Sequence, residues 1–155
     1  MLRVALPEDA PRLAALINDA FQAEAFFKIG DRTSADEVVA LMGEGEFLVL
    51  EEAGGGLAGG VYLTCRGERA YFGMLSIDPS RQGSGLGRRL IEAVEARALG
   101  RGCRFMDIHI VNLREELPAY YRRCGYTEQG ELPFSDPARA SRPCHFIVMT
   151  KTLSP

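Results

Sequence analysis

Ser80–Leu90 reads SRQGSGLGRRL, with Gly83, Gly85 and Gly87 at alternate positions. A helical pattern follows at once: Leu86, Leu90, Ile91, Val94 and Ala98 fall on one face, and Arg88 and Glu92 pair at i, i+4 on the other. Glycine is the poorest helix former after proline, so glycines at a helix entrance need a reason. Two readings fit. One is a turn with no ligand. The other is a backbone kept bare so that an anion can reach the first helical amides, which have no internal partners and sit at the positive end of the helix dipole. The spacing is G-x-G-x-G rather than G-x-G-x-x-G, and no Lys-Ser or Lys-Thr follows. The dinucleotide fingerprint and the P-loop are therefore both excluded.

Outward from this stretch the chain alternates strands and helices. RAYFGMLSID is a strand that stops at Pro79. Before it, EFLVLEE and GGLAGGVYLTC make a hairpin around Gly54-Gly55-Gly56. PEDAPRLAALINDAFQ carries Leu13, Leu16, Ile17, Ala20 and Phe21, an amphipathic stripe, with Pro7, Glu8 and Asp9 suited to a first turn. TSADEVVALMGEG predicts a second helix, capped by Thr or Ser and ended by Gly43 and Gly45. After the central helix come a strand, RFMDIHIV; a short helix, EELPAYYRRCG, with Pro118 in its first turn; and two strands, YTEQGEL and HFIVMTKTL. The loop PFSDPARASRPC joins those two strands. A first strand at the N-terminus completes the expected order of strand-α-α-β-β-β-α-β-α-β-β. One α/β domain spanning residues 1–155 is expected.

Composition narrows the function classes. The chain has 155 residues, 46% hydrophobic and 25% charged, with net charge −3, so no basic field argues for nucleic acid or an anionic membrane. No apolar run approaches the ~20 residues of a membrane span, and MLRVALPEDA lacks the regions of a signal peptide. A cytoplasmic protein is expected. Cys65, Cys103, Cys124 and Cys144 are scattered, without C-x-x-C or finger spacing, and read as reduced, small buried hydrophobes rather than metal ligands.

GMLSIDPSRQGSGLGRRLIEAVEARA resembles the signature of the GNAT acyltransferase superfamily, in which an aliphatic-x-Pro strand end precedes Q/R-x-x-G-x-G/A and a helix. Here these are Ile77-Asp78-Pro79 and Gln82 to Gly87. YYRRCGY matches a second family element, Tyr-x-x-x-Gly-aromatic, with Tyr121, Gly125 and Tyr126. The element order agrees along nearly the whole chain. The resemblance implies a central mixed, mostly antiparallel sheet of six to seven strands, splayed in the middle and flanked by about four helices. It also implies acetyl-CoA in the splay, with no metal. The amides of Gln82, Gly83, Ser84, Gly85, Leu86, Gly87 and Arg88 would hold the pyrophosphate, with the Ser84 hydroxyl as a further donor. The backbone of Leu75, Ser76 and Ile77 would pair with the pantetheine arm and supply an oxyanion donor. Tyr121 would be the general acid that protonates the departing thiolate, from a phenol near pKa ~10 to a thiol near ~8.5.

The sequence departs from the family pattern in two places. Tyr71 stands where relatives often carry a Glu base, and no base is assigned; Asp78 reads as a turn cap. Arg114 stands where relatives often carry a cofactor-contacting Asn, and Asn112 either takes that contact or ends the strand. Asp107 and His109 share a strand face, as an acid–base pair or as a pair at the cleft edge. His145 beside Cys144 reads as a strand residue. The acceptor, an amine of a small molecule or peptide, should meet AEAFFKIGDRT and PFSDPARASRPCHF. Phe26, Phe27 and Phe134 form either its apolar wall or part of the core. Lys28, Arg32, Arg139 and Arg142 hint at an acceptor carrying a carboxylate or phosphate. The alternative function is a non-catalytic acyl-CoA-sensing module of the same fold. A monomer or homodimer is expected.

Overall fold

The computed structural model describes residues 1–154. Its strands are β1 (Leu2–Val4), β2 (Glu46–Glu51), β3 (Leu57–Arg66), β4 (Arg69–Ile77), β5 (Phe105–Val111), β6 (Thr127–Pro133) and β7 (His145–Thr152). They form one sheet of order β1-β2-β3-β4-β5-β7-β6. Every neighbouring pair is antiparallel except β4 and β5. The helices are α1 (Ala10–Ala20), α2 (Ala35–Met42), α3 (Leu86–Gly100) and α4 (Leu117–Arg123), so sheet, splay and helix number all follow the expectation.

The period-2 alternation of β4 and β5 assigns their side chains to two cores. Ala70, Phe72, Met106, Ile108 and Ile110 pack with Leu90, Ile91, Val94 and Tyr121 from α3 and α4. On the opposite face, Leu13, Ile17 and Val38 of α1 and α2 pack on Phe47, Val49 and Tyr62. A third small cluster joins Phe27, Val111 and Phe134 beneath the long loops.

The sheet splits at its centre. β4 and β5 pair on only three rungs, Arg69↔Phe105, Ala70↔Met106 and Tyr71↔Asp107. From there β4 stays with β3 and β5 stays with β7. A bulge accompanies the split: the β3–β4 register passes from Gly60↔Ser76 to Tyr62↔Gly73, leaving Met74 and Leu75 opposite Val61. Met74 has φ +52°, the one non-glycine residue in the left-handed region among the described residues. A bulge of this kind bends its strand and frees backbone groups from the ladder. The Ser76 hydroxyl donates to the Met74 carbonyl (2.9 Å) and holds the bend.

The first helix begins later than its sequence stripe suggests. Pro7–Asp9 is a 3₁₀ turn, and α1 starts at Ala10. Asp9 is the reason: its carboxylate turns inward, accepts from the Leu6 amide (2.7 Å) and binds Arg3 (2.8 and 2.9 Å). Among the described residues the four thiols are unbridged, no group of His, Cys, Asp and Glu side chains could hold a metal ion, and no helix is long and apolar enough to cross a membrane.

Candidate active site

The gap between β4 and β5 opens into a cleft of about 750 Å³. At one end lies the glycine stretch. Asp78 caps the turn that leads into it, accepting from the Ser80 amide (2.9 Å), as its position suggested. Gly83 and Gly85 both have φ +82°, and Gly85 is the N-cap of α3. A β-carbon on either would meet nothing within 4 Å, so no protein atom fills the space beside them. The first turn of α3 therefore faces an open concavity with its amides unpartnered, flanked by Arg81 and Arg88. An anionic group fits there.

The middle of the cleft is the unpaired edge of β4. Leu75 and Ile77 line it, as do Met74 and Gly73. Backbone amides and carbonyls along this edge suit a peptide-like chain laid beside them. Of the residues expected to hold the cofactor, Gln82, Gly83, Gly85, Leu86, Gly87 and Arg88 also line the cleft. Three others do not. The Ser76 side chain is 1% exposed and is spent on the Met74 carbonyl. The Ser84 hydroxyl is spent on the Arg81 carbonyl inside the turn, which corrects its expected role as a free donor. Asn112 closes the β5–β7 ladder instead of facing the cleft: its side-chain oxygen accepts from the His145 amide (2.8 Å), and its own amide donates to the His145 carbonyl (2.9 Å).

Tyr121 lines the cleft from α4, packed against Phe72, Tyr120 and Tyr126. Burial pushes its phenol well above the usual range, so it carries its proton at neutral pH. Tyr126 by contrast donates to Glu95 (2.7 Å) and belongs to the core. Tyr120 is a second cleft phenol that the sequence did not single out; its hydroxyl reaches the start of α3, 3.5 Å from where a β-carbon on Gly87 would stand.

On the other face of the sheet, Tyr71 stacks on His109 (ring centroids 4.8 Å), and His109 packs against Phe146 (5.6 Å). Asp107 is not the partner of His109: it is held by Arg69 (2.6 and 2.9 Å) and by the Thr150 hydroxyl (2.6 Å). Partial burial in this aromatic wall pushes the His109 imidazole below its ordinary pKa, toward the neutral form. Phe134 is buried yet lines the cleft; Phe27 is fully core. Phe26 is half exposed under the Arg142 guanidinium, and both lie outside the cleft.

Arg114, unexplained by the sequence pattern, ties the cleft together. It bonds Glu24 (3.1 Å) from the segment after α1 and Glu116 (3.1 Å) from the start of α4. Its side chain is 17% exposed and that of Glu24 9%. The pair therefore pins the loop after α1 to the β5–α4 connection across the cleft.

The model of the Acetyltransferase (GNAT) domain matches residues 43–128, from the end of α2 to the start of β6. The chain belongs to the GNAT acetyltransferase family. This family uses acetyl-CoA, and the glycine cradle with the open β4 edge fits a ligand that is anionic at one end and amide-like along its length. Glucosamine 6-phosphate N-acetyltransferase 1 of Oryza sativa subsp. japonica is 31% identical over 106 residues, which are 63% of this GNAT chain and 62% of that protein. The chain thus spans less than two-thirds of that relative's length. Among solved structures, the Escherichia coli ribosomal-protein-S18-alanine N-acetyltransferase superposes with a TM-score of 0.79 at 18% identity, covering 100% of this chain and 94% of that one. An aminoglycoside 6′-N-acetyltransferase complexed with coenzyme A superposes with a TM-score of 0.76 at 18% identity, covering 100% and 98%. At such identity these two likenesses speak for the fold.

Proposed function

We propose that residues 1–155 act as one catalytic domain that moves the acetyl group of acetyl-CoA directly onto an amine of a small molecule or peptide. One observation carries this reading: the split between β4 and β5 opens to both faces of the sheet, with the Tyr121 phenol on one face and the His109 imidazole on the other. Acetyl-CoA, when bound, supplies an acetyl thioester open to attack.

The amides of Gly83 to Arg88, with Arg81 and Arg88, hold the pyrophosphate end. A backbone N–H of the unpaired β4 edge, at the bulge or along Leu75 to Ile77, would stabilise the negative charge that develops on the thioester oxygen as the amine attacks. His109 takes the amine proton, directly or through one water, and the N–C bond forms. Of the carboxylates that line the cleft on this side, Glu24 is occupied by Arg114 and Asp136 by Arg139. As the C–S bond breaks, the Tyr121 hydroxyl gives its proton to the departing sulfur. Burial keeps the Tyr121 phenol protonated until the thiolate forms beside it, and the same burial disfavours a bare thiolate there.

The named relatives, which act on glucosamine 6-phosphate and on aminoglycosides, support an amine acceptor of this general kind. The second reading, an acyl-CoA-sensing module without turnover, draws support from Tyr71 at the position where relatives often carry Glu. Release of free thiol from acetyl-CoA across a panel of amines decides between them. Tyr121→Phe should lower kcat by roughly 10²-fold or more while acetyl-CoA still raises the melting temperature. Tight acetyl-CoA binding with no thiol released on any amine would instead establish the sensing module.

A further inference from the structure

Seven lysines and arginines are at least partly buried among the described residues: Arg3, Lys28, Arg32, Arg97, Arg114, Arg139 and Lys151. Five of them touch a carboxylate: Arg3 on Asp9, Arg97 on Glu46, Arg114 on Glu24, Arg139 on Asp136 and Lys151 on Glu95. Lys28 and Arg32 do not. Both line the cleft, and neither makes a side-chain hydrogen bond to protein among the described residues. A half-buried cation without a counter-ion is unfavourable, and two of them sharing one wall repel each other as well.

Their surroundings hold both in place without neutralising them. The Lys28 ammonium lies 5.9 Å from the centre of the Phe134 ring, and the Arg32 guanidinium 5.4 Å from that of Phe21. The backbone of Lys28 bridges to Ala140 and donates to the Glu24 carbonyl (2.9 Å). Burial first, then the nearby Arg32 charge, lowers the Lys28 pKa, and the through-space pull of Glu24 and Asp136 does not make up the difference. None of the wall's carboxylates makes a direct ion pair with either cation: Glu24 bonds Arg114, Asp136 pairs with Arg139, and Glu37 is exposed and bonds neither. The two cations also lie on the Tyr71–His109 face, in the segment between α1 and α2, and not on the glycine cradle.

Resting on the acetyl-transfer reading above, we propose that the acceptor is an amine carrying an anionic group, a carboxylate or a phosphate, which Lys28 and Arg32 bind from one wall of the cleft. Charge-assisted hydrogen bonds to the guanidinium fork and the ammonium fix the anion. The amine at the other end of the same molecule then points to His109 and the split in the sheet.

Two matched pairs test this: O-phosphoethanolamine against ethanolamine, and β-alanine against β-alaninamide. The anionic member of at least one pair should have the higher kcat/KM by about 10- to 100-fold, the range of a charged hydrogen bond, and the pair that responds tells phosphate from carboxylate. In a Lys28→Gln/Arg32→Gln protein that ratio should fall to near one. Calorimetry gives a second readout without turnover. Phosphate or β-alanine should bind the coenzyme-A-loaded protein and lose that binding in the double variant. Equal preference for neutral amines overturns the proposal, as does anion binding that survives both substitutions or is absent from the start. So does a double variant whose defect is a raised KM for acetyl-CoA, since the cations would then serve the cofactor's phosphates. Failure of acetyl-CoA to bind at all would strike the acetyl-transfer reading instead, and the anion site would then be decided by whether the unloaded protein binds phosphate more weakly in the Lys28→Gln/Arg32→Gln variant than in the wild type.

Discussion

Tyr71 and His109 stack with ring centroids 4.8 Å apart, at the point where β4 and β5 cease to pair. Tyr121 lies across the sheet from them, against Phe72. The alternation of a strand produces this division: Tyr71 and Phe72 are neighbours in sequence and face opposite ways. On the acetyl-transfer proposal, an amine arriving on the Tyr71 side and a thiol leaving on the Phe72 side would meet different titrating groups through one split.

The position of His109 sets a pH dependence. Its pKa is pushed below 6.5 by partial burial, opposed by the Asp107 charge, with Tyr71 and Phe146 as its ring neighbours. A base must be unprotonated, so kcat/KM should hold as pH falls to the ordinary histidine range and decline only below it. His109→Gln should remove that acid limb and lower kcat by roughly 10²-fold. A pH–rate profile of both proteins checks this; a limb unchanged in the variant assigns the proton acceptor to another group.

Gly73 makes room for the Tyr71 ring. A β-carbon there would stand 2.5 Å from the Tyr71 hydroxyl oxygen and 3.0 Å from the ring carbon that bears it. Gly73→Ala must push the ring off His109, at a cost of about 1–3 kcal/mol from overpacking. In a Tyr71→Ala background the same substitution should cost little. A double-mutant cycle by urea denaturation therefore gives a coupling close to the whole single-site cost.

The glycines of the cradle separate backbone strain from access. Gly85 has φ +82° with open space around it, so Gly85→Ala costs about 1–2 kcal/mol in conformation alone. Gly87 lies inside α3, and a β-carbon there makes ordinary contact with the Tyr120 hydroxyl at 3.5 Å. Gly87→Ala should stabilise the fold by about 0.5–1 kcal/mol. Both substitutions should nevertheless weaken acetyl-CoA binding, because each places a methyl group where the phosphates approach. Denaturation and calorimetry on the same two proteins would show opposite shifts in stability and the same direction in affinity. Unchanged affinity in Gly87→Ala would make the third glycine a packing residue.

These glycines were legible in the sequence because their spacing is local and the following helical stripe is strongly periodic. The same holds for Tyr121 as a candidate, which a short motif marks, and for the order of strands and helices along the chain. What escaped depends on how the backbone folds, locally in the turn and the bulge and across remote segments elsewhere. Asn112 and Ser84 carry polar groups that suit either a ligand or the backbone, and only the folded turn and the β5–β7 ladder show that the backbone takes them. No sequence signal marks the Met74 bulge, since no glycine supplies its positive φ. Glu24 and Arg114 meet across the cleft from distant segments. That contact turns an apparent departure from the family pattern into a tether, and it leaves Lys28 and Arg32 without a direct ion pair to Glu24.

Asp9 tests how far one buried carboxylate holds the N-terminal corner. It is 2% exposed and accepts from Arg3 twice, from Arg12 (2.6 Å) and from the Leu6 amide. The hydrogen bonds from Arg3 come first among the causes that hold its pKa far below the usual carboxylate range, against the opposing effect of burial. A carboxylate depressed in the folded state contributes stability that is fully present above the unfolded value, near ~3.9, and is lost as pH falls toward the folded one. Asp9→Asn should therefore cost about 2–3 kcal/mol at pH 7; Arg3 is 22% exposed and keeps Glu51 (3.0 Å), which places the loss at the low end for a broken buried pair. The difference between the two proteins should stay constant from pH 7 to about 5, then narrow below pH ~4 as the unfolded wild-type chain binds the proton that its folded state refuses. Denaturant unfolding of both proteins across that range reads the effect directly. A gap that widens on acidification would mean that the folded pKa lies above the unfolded one, and that the Arg3 contact does not hold Asp9 ionised.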